Sequence, residues 1–209
     1  MLLPLVLDCL TSASWWQRSD AQLAEAAGVF HRAESRLVAA QVAVLGEAME
    51  RGLPEQEGAK DGGVWLRGLV PVTASVAGAR AGLAEAFGTA AKPTPDLAPT
   101  REAFAAGAIS PGHAGVVVRT MDALDKVPEV DAKTRGEVQA LLLGAAGQLD
   151  PAQLGKAGAR VRHRLDPDAA ARLARDEDAQ QDQREAYLIQ ESTGMWHLRG
   201  YLPPLAGGG

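Results

Sequence analysis

A helix-start signal recurs along the second half of the chain. At each site a Ser or Asp is followed directly by Pro, or three positions later by a polar residue. The Ser or Asp side chain can accept a hydrogen bond from a free backbone N–H of the first turn, and Pro fits the first turn because it has no N–H to satisfy. The pattern predicts successive helices that begin at Ser110-Pro111, at Asp131 with Thr134, at Asp150-Pro151 and at Asp166-Pro167, the last three ending near Leu149, Leu165 and Gln183.

The first half of the chain predicts one long helix from about Asp20 to Arg51. Ser19 followed by Gln22 has the form of a capping box, and Gly52 stands where a left-handed residue often ends a helix. Large apolar residues recur at intervals of seven along this helix, with Ala26 and Ala33 near the companion seam. These apolar residues are Leu23, Phe30, Leu37 and Val44.

Shorter helices and a connector are predicted between these regions. Helix resumes near Val64, and Thr73 caps a run that stops at Gly88. The Pro-rich stretch from Lys92 to Pro99 cannot sustain regular helix and reads as a surface connector, after which Thr100 restarts the helical pattern.

The end of the chain changes its pattern. Apolar and polar residues alternate around Ala186 to Gln190, Ser192 to Gly194 supplies turn residues, and Met195 to Leu202 follows as a second strand. The predicted fold class is therefore mainly α, a multi-helix bundle with a long N-terminal helix and a C-terminal β-hairpin. We expect residues 1–183 to form the helical domain, and residues 184–209, the hairpin and the Gly-rich end, to pack on it.

Charge and cysteine content limit the function classes. A formal charge of −5 argues against a protein that coats nucleic acid through its overall charge, so any such contact must be local. The single Cys9 can form no internal disulfide, which favours the cytoplasm. The apolar start Met1 to Leu7 is too short to span a bilayer, so no membrane contact is expected.

No complete catalytic centre is visible in the sequence. The four histidines, His31, His113, His163 and His197, include no pair at the spacing of a zinc hydrolase. A nucleophile elbow, a phosphate-binding loop and a dinucleotide-binding glycine pattern are also missing. We therefore assign this chain no catalytic residue, cofactor or metal ligand.

The helix predicted from Pro151 to Leu165 carries a basic stripe. Lys156, Arg160 and Arg164 stand four residues apart, Arg162 flanks them, and the segment has no acidic residue. Like charges at this spacing repel unless an anion meets them. Two readings remain open: contact with DNA phosphates, or internal pairing with the following segment, Asp166 to Gln183, which holds six acidic residues and two arginines.

The segment from Thr100 to Met121 has helix-turn-helix proportions, with a turn near Gly107. Recognition helices present polar groups near their N-termini, and here these are Ser110, His113 and Arg119. His113 and Arg119 are therefore candidate DNA contacts. The alternative is core packing, because Val116 to Val118 have the pattern of buried residues.

The order of motifs resembles a known family, the thirteen-E-twelve repeat family, whose members are actinobacterial HNH endonuclease-like proteins with an N-terminal domain of unknown function. The likeness covers about Asp20 to Leu202. A shorter likeness links Ala106 to Ala114 to the helix-turn-helix of plasmid-partition proteins. The family resemblance rests on Trp65-Leu66, Arg101 to Ser110, Leu141 to Leu143, Leu149 to Pro151, Leu165 to Asp168 and Arg199 to Leu202.

The resemblance implies an HNH nuclease module, with metal-binding histidines, beyond the helical domain. This sequence reaches Gly209 before such a motif, so no catalytic residue carries over, and a divalent metal is expected only in that module. We expect an N-terminal, DNA-contacting domain of an HNH endonuclease-like protein, whose partners are DNA and the nuclease module. The alternative is a structural module that self-associates through Leu37 and Val44 without binding nucleic acid.

Overall fold

The computed structural model describes residues 3–88, 96–166, 185–190 and 196–201. In it, the helix caps predicted from the sequence are present as hydrogen bonds. The side chains of Ser19, Thr73, Ser110 and Asp131 each accept a hydrogen bond from the backbone N–H three residues later. Ser19 and Gln22 complete the predicted capping box. The helix starts predicted at these residues are confirmed, because capping depends only on neighbours along the chain.

Nine α-helices lie within the described residues, with one 3-10 turn, Trp15–Gln17, between the first two. The longest, α2, has 31 residues and matches the predicted long helix. In chain order the helices are α1 Leu3–Thr11, α2 Asp20–Glu50, α3 Leu53–Gln56, α4 Gly62–Leu69, α5 Ala74–Phe87, α6 Ala98–Ala105, α7 Pro111–Asp125, α8 Ala132–Ala145 and α9 Pro151–Leu165.

Two helix starts differ from the sequence prediction. α4 begins at Gly62, earlier than predicted, because the Asp61 side chain caps it by accepting from the Val64 N–H at 2.7 Å. α6 begins at Ala98 instead of Thr100 and includes Pro99, which is tolerated in a first turn because no intrahelical N–H bond is lost there. The helix predicted from Asp166 to Gln183 lies, beyond Asp166 itself, outside the described residues.

The core of the helical unit is centred on α7. Val117, Met121 and Leu124 on α7 are fully buried, together with Phe104 on α6 and Leu142 on α8. α7 contacts α2, α5, α6 and α8, and is thus surrounded by four other helices. Burying large side chains of this kind contributes about 1.5–3 kcal/mol each.

The buried polar side chains of the bundle have partners inside it. Gln139 on α8 donates to the Thr100 hydroxyl of α6 at 2.8 Å, and Thr120 donates to the Val116 carbonyl at 2.9 Å. Among the described residues, no fully buried side-chain nitrogen or oxygen lacks a hydrogen bond. The Thr100–Gln139 bond therefore fixes the relative rotation of α6 and α8 without an unsatisfied group.

The predicted fold class, a bundle that includes a β-hairpin, is corrected. The chain divides into one unit of residues 1–162 and another of residues 163–209, and the described part of the first unit consists of helices and turns with no strand. The strands, β1 Glu185–Gln190 and β2 Trp196–Tyr201, belong to the second unit, where they pair antiparallel with Glu185 opposite Tyr201. Alternation indicates a strand but not what the strand packs against, so the sequence could not place it.

Two turn glycines with positive φ provide a stability test. Gly107 has φ +73°, and a Cβ there would lie 2.6 Å from the Arg32 carbonyl oxygen. Gly58 has φ +76° with nothing within 4 Å of such a Cβ. We expect Gly58→Ala to cost about 1 kcal/mol of unfolding free energy from backbone strain, and Gly107→Ala about 3 kcal/mol from strain plus the clash. Urea unfolding measures both, and equal losses would contradict the close approach.

Candidate nucleic-acid interface

Helix α9, which carries the basic stripe, is capped at its start. The Asp150 carboxylate accepts from the backbone N–H groups of Ala152 and Gln153, both at 2.8 Å. The Gln153 side chain in turn accepts from the Asp150 N–H at 3.2 Å. This reciprocal cap and Pro151 in the first turn explain why the helix begins where the sequence predicted.

Small residues fix the rotation of α9 against α7. Leu154 and Gly158 are buried, and a Cβ on Gly158 would lie only 2.7 Å from the Thr120 hydroxyl. Gly158 therefore allows an approach that no larger residue permits. With this face turned to α7, the residues on the other side of α9 point to solvent.

The exposed side of α9 is the basic face, defined as Lys156, Arg160 and Arg164. Arg162 flanks it on the other side of the helix, in line with Gly155 and Gly158. All four side chains are exposed. The ion pairs found within the described residues involve other cations: Arg51, Lys60, Lys133 and Arg135. The carboxylates between residues 167 and 183, which the internal-pairing alternative requires, lie outside the described residues.

His113 occupies a different setting from the basic face. It is 9% exposed at the start of α7. Its Nδ1 lies 2.7 Å from the Ser110 hydroxyl, and its Nε2 lies 2.8 Å from the Leu149 carbonyl oxygen. A carbonyl only accepts, so Nε2 carries the proton and Nδ1 accepts from Ser110. With both nitrogens engaged, His113 holds α7 to the turn before α9.

Arg119 lies on the exposed strip of α7, which forms one wall of a groove of about 1050 Å³. Small residues of α2, α5 and α7 line this groove, among them Gly46, Gly82 and Gly115. Glu85 and Asp122 also line it beside Arg119. Carboxylates at this wall disfavour a phosphate backbone, so Arg119 lies in a setting unlike that of the basic face.

The segment predicted as a helix-turn-helix does contain a helix, a tight turn and a second helix. The second helix, α7, is mostly buried. α6, the turn at Gly107 and α7 follow in order. Eight residues of α7 are buried, from His113 to Leu124, and most of its remaining residues line the groove. A recognition helix must lay its outer face in the major groove of DNA. Here that face is narrow and lined by Gly112, Gly115 and Asp122.

Burial and neighbouring acids alter Asp122. Desolvation raises the pKa of its carboxyl above the ordinary range; nearby Lys126 opposes the shift, while Asp125 and Glu85 add to it. Burial and repulsion between neighbouring carboxylates therefore both disfavour the charged form of Asp122 in the groove.

Two further features bear on function. Among the described residues no three His, Cys, Asp or Glu side chains lie close enough together to hold a metal ion. No helix within the described ranges is both long and apolar enough to cross a membrane.

Comparison with known families identifies the domain. A family model described as a domain of unknown function, DUF222, matches residues 24–208. The chain belongs to the DUF222 family. The comparisons with curated proteins and with solved structures gave no match. The match includes all of α5 to α9 and most of α2, so both the basic face and the His113 contact are parts of the DUF222 domain.

Sequence reasoning missed the structural role of His113 and the close approach at Gly158. Gly155 and Gly158 stand three apart on the side of α9 opposite Lys156 and Arg160, and that pair of small residues was a usable sign of tight packing. The bond from His113 to Leu149 joins residues 36 apart in the chain and leaves no local signal. His163, also exposed, follows Arg162 in the basic segment.

The docking of α9 in the DUF222 domain can be tested with one substitution at two positions. Gly158→Ala forces a methyl group against buried Thr120, and we expect a loss of about 1–3 kcal/mol in unfolding free energy. Gly155→Ala is the matched control, because its Cβ would lie 3.9 Å from Val116, an ordinary contact. We expect that change to gain about 0.5–1 kcal/mol, since alanine favours helix. A gain at both positions in urea unfolding would rule out the close approach.

Asp122 gives a pH-dependent prediction. A carboxyl whose pKa is raised in the folded state favours folding only when protonated, so its contribution is present below its unfolded pKa and is lost as pH rises through its folded pKa. We expect Asp122→Asn to raise the melting temperature at pH 7 and to have no such effect near pH 3. Asp131→Ala is the control, because hydrogen bonds from Thr134 hold the pKa of the Asp131 carboxyl below its usual range, so its loss should lower the melting temperature at pH 7. A lower melting temperature for Asp122→Asn at pH 7 would refute the assignment.

Proposed function

We propose that this DUF222 domain contacts DNA through the basic face of α9 and forms the N-terminal helical part of an HNH endonuclease-like protein. The single observation that carries the DNA contact is the exposure of Lys156, Arg160, Arg162 and Arg164 on one helix. A cluster of exposed cations of this kind is the usual means by which proteins hold phosphate backbones.

The chemistry of the face favours phosphate contact without reading of base sequence. Lys and Arg at i, i+4 spacing form a ridge along about 12 Å of helix, from Lys156 to Arg164. No Asn or Gln accompanies them there to form paired hydrogen bonds to adenine. The binding therefore depends on charge and on the release of counterions from DNA.

The negative net charge sets the strength of this binding. With a formal charge of −5, the protein as a whole repels DNA, and the basic face of α9 attracts it at short range. Screening by salt therefore weakens both terms, and the local attraction is lost as salt rises. Binding of this kind positions an attached catalytic module and is weak when the domain acts alone.

The HNH association rests on the order of the motifs, which resembles that of the thirteen-E-twelve repeat family. The first motif is Trp65-Leu66 and the last is the segment 199–202. In this proposal the divalent metal and its histidine ligands belong to the nuclease module, and the helical domain supplies DNA contact in the cytoplasm. The coding sequence beyond Gly209 tests this part separately. A His-Asn-His motif there supports it, and a stop codon directly after Gly209 counts against it.

Charge reversal tests the DNA contact. We expect the chain to bind a DNA duplex of about 25 base pairs at 50 mM salt, with a log–log salt slope of about −3 for three phosphate contacts. The double variant Lys156→Glu with Arg160→Glu should weaken binding at least about tenfold and reduce the slope by about 2. Fluorescence anisotropy of labelled DNA measures both quantities.

The control has the same change of net charge on other helices. Lys133→Glu with Arg67→Glu alters two exposed cations on α8 and α4. We expect this pair to change affinity much less than the α9 pair. If the wild-type chain shows no binding at 50 mM salt, or if both double variants lose equally, α9 is not the DNA contact.

A further inference from the structure

The first half of α2 lies at the edge of the helical core, which it meets near Arg32 at the Gly107 turn. From Asp20 to Glu34, about 22 Å of helix, no residue is buried. The buried residues of α2 all come later: Ser35, Val42, Leu45, Gly46 and Ala48. Among the described residues this half of α2 receives the Trp15 contact and the Gly107 turn but buries no side chain of its own, so its apolar residues are available for packing.

An apolar strip runs along this half of α2 and past it. Leu23, Phe30 and Leu37 are 41%, 38% and 45% exposed and lie seven residues apart. Ala26, Ala33 and Ala40, all at least partly exposed, lie between them at the alternate heptad positions. We call these six residues the α2 seam. Trp15 of the same chain packs edge-on to the Phe30 ring at 5.4 Å and still leaves that ring partly exposed.

We propose that the α2 seam binds the same seam of a second copy of this chain, with the two helices antiparallel. In an antiparallel pair, each a-type residue of one helix faces a d-type residue of the other. A two-fold axis between His31 and Arg32 then produces three layers at once. In these layers Leu23 meets the partner's Ala40, Phe30 meets the partner's Ala33, and Leu37 meets the partner's Ala26.

The size pattern selects this orientation. Each layer of the antiparallel pair places one large side chain against one alanine, so the layers have similar volume. A parallel pair would instead stack Phe30 on the partner's Phe30 and leave alanine facing alanine in the next layer. Such alternating crowding and voids are costly, because cavities and overpacking both destabilise.

The same symmetry argues for a second copy as the occupant. The three layers are complementary only because a two-fold axis places the large residues of each copy opposite the alanines of the other. A contact formed by the same surface on both copies is the property of an isologous dimer. The flanking charges agree, since Glu34 falls nearest to the partner's Ala27 and Arg36 nearest to the partner's Val29. No like charges face each other across the pair. The seam lies on a helix other than α9, so the dimer is independent of DNA contact.

Sedimentation equilibrium of the full chain tests the dimer. The contact is at the small end of specific interfaces, so we expect a monomer–dimer equilibrium with a dissociation constant on the order of micromolar. Leu23→Glu with Leu37→Glu should weaken it more than about 100-fold, because each layer would bury a charge. The control, Leu69→Glu with Leu141→Glu, changes two leucines of similar exposure on α4 and α8 and should leave it unchanged.

Circular dichroism first establishes that both double variants keep the wild-type helix content. A wild-type chain that stays monomeric at about 100-fold above micromolar concentration overturns the proposal. Equal weakening by the seam variant and the control also overturns it, since the contact would then lie elsewhere.

Disulfide cross-linking tests the orientation in a background with Cys9→Ser, which removes the only cysteine. Chains with Leu23→Cys mixed with chains with Ala40→Cys should form a mixed disulfide, because the antiparallel pair brings these positions together. Leu23→Cys alone should not cross-link, since its two copies would lie about 25 Å apart. Cross-linking of Leu23→Cys with itself, or no mixed disulfide, refutes the antiparallel pair.

Discussion

One buried histidine joins the start of α7 to the turn before α9. His113 accepts from Ser110 at the start of α7 and donates to the Leu149 carbonyl just before α9. Both bonds use the same neutral tautomer, so the ring is satisfied without charge. Because α7 is the central helix of the core, this contact fixes the start of α9 relative to that core. The rotation of α9 about its axis is then set by Gly158 against Thr120.

The same contact shows that α7 has a structural role in the core, whereas the sequence had left open whether α7 packs in the core or contacts DNA. Ser110, His113 and Arg119 were predicted to present polar groups to DNA, as the first residues of a recognition helix do. The structure instead uses Ser110 and His113 for a cap and a long-range link, and leaves Arg119 beside Asp122 and Glu85 in a groove. A helix with eight buried residues supports the core, whereas α9 has two buried residues and four exposed cations.

Local signals explain how much of this could be predicted. Caps such as Ser19, Thr73 and Asp131 act within four residues, so the sequence predicted most helix starts, and the long α2 helix, correctly. The Asp131 cap also lowers the pKa of the Asp131 carboxyl below its usual range, because the carboxylate accepts hydrogen bonds from Thr134. The bonds from His113 to Leu149 and from Gln139 to Thr100 join residues 36 and 39 apart, and no local pattern indicates them. The predicted fold class failed for a related reason, because alternation along a strand does not indicate the compact unit to which the strand belongs.

Along α9, the acidic residue Asp150 lies at the start of the helix and the basic residues lie toward its end. A protein with a formal charge of −5 can hold an anion only where its cations are gathered and its acids are kept away. The caps achieve part of that separation: Asp150 lies at the N-terminus of α9, where the helix dipole favours a negative charge, and the cations follow toward the C-terminus, where it favours a positive one. Each charge thus stabilises the helix that carries it. The repulsion among Lys156, Arg160 and Arg164 is then the remaining cost, and a bound phosphate backbone is the kind of partner that would relieve it.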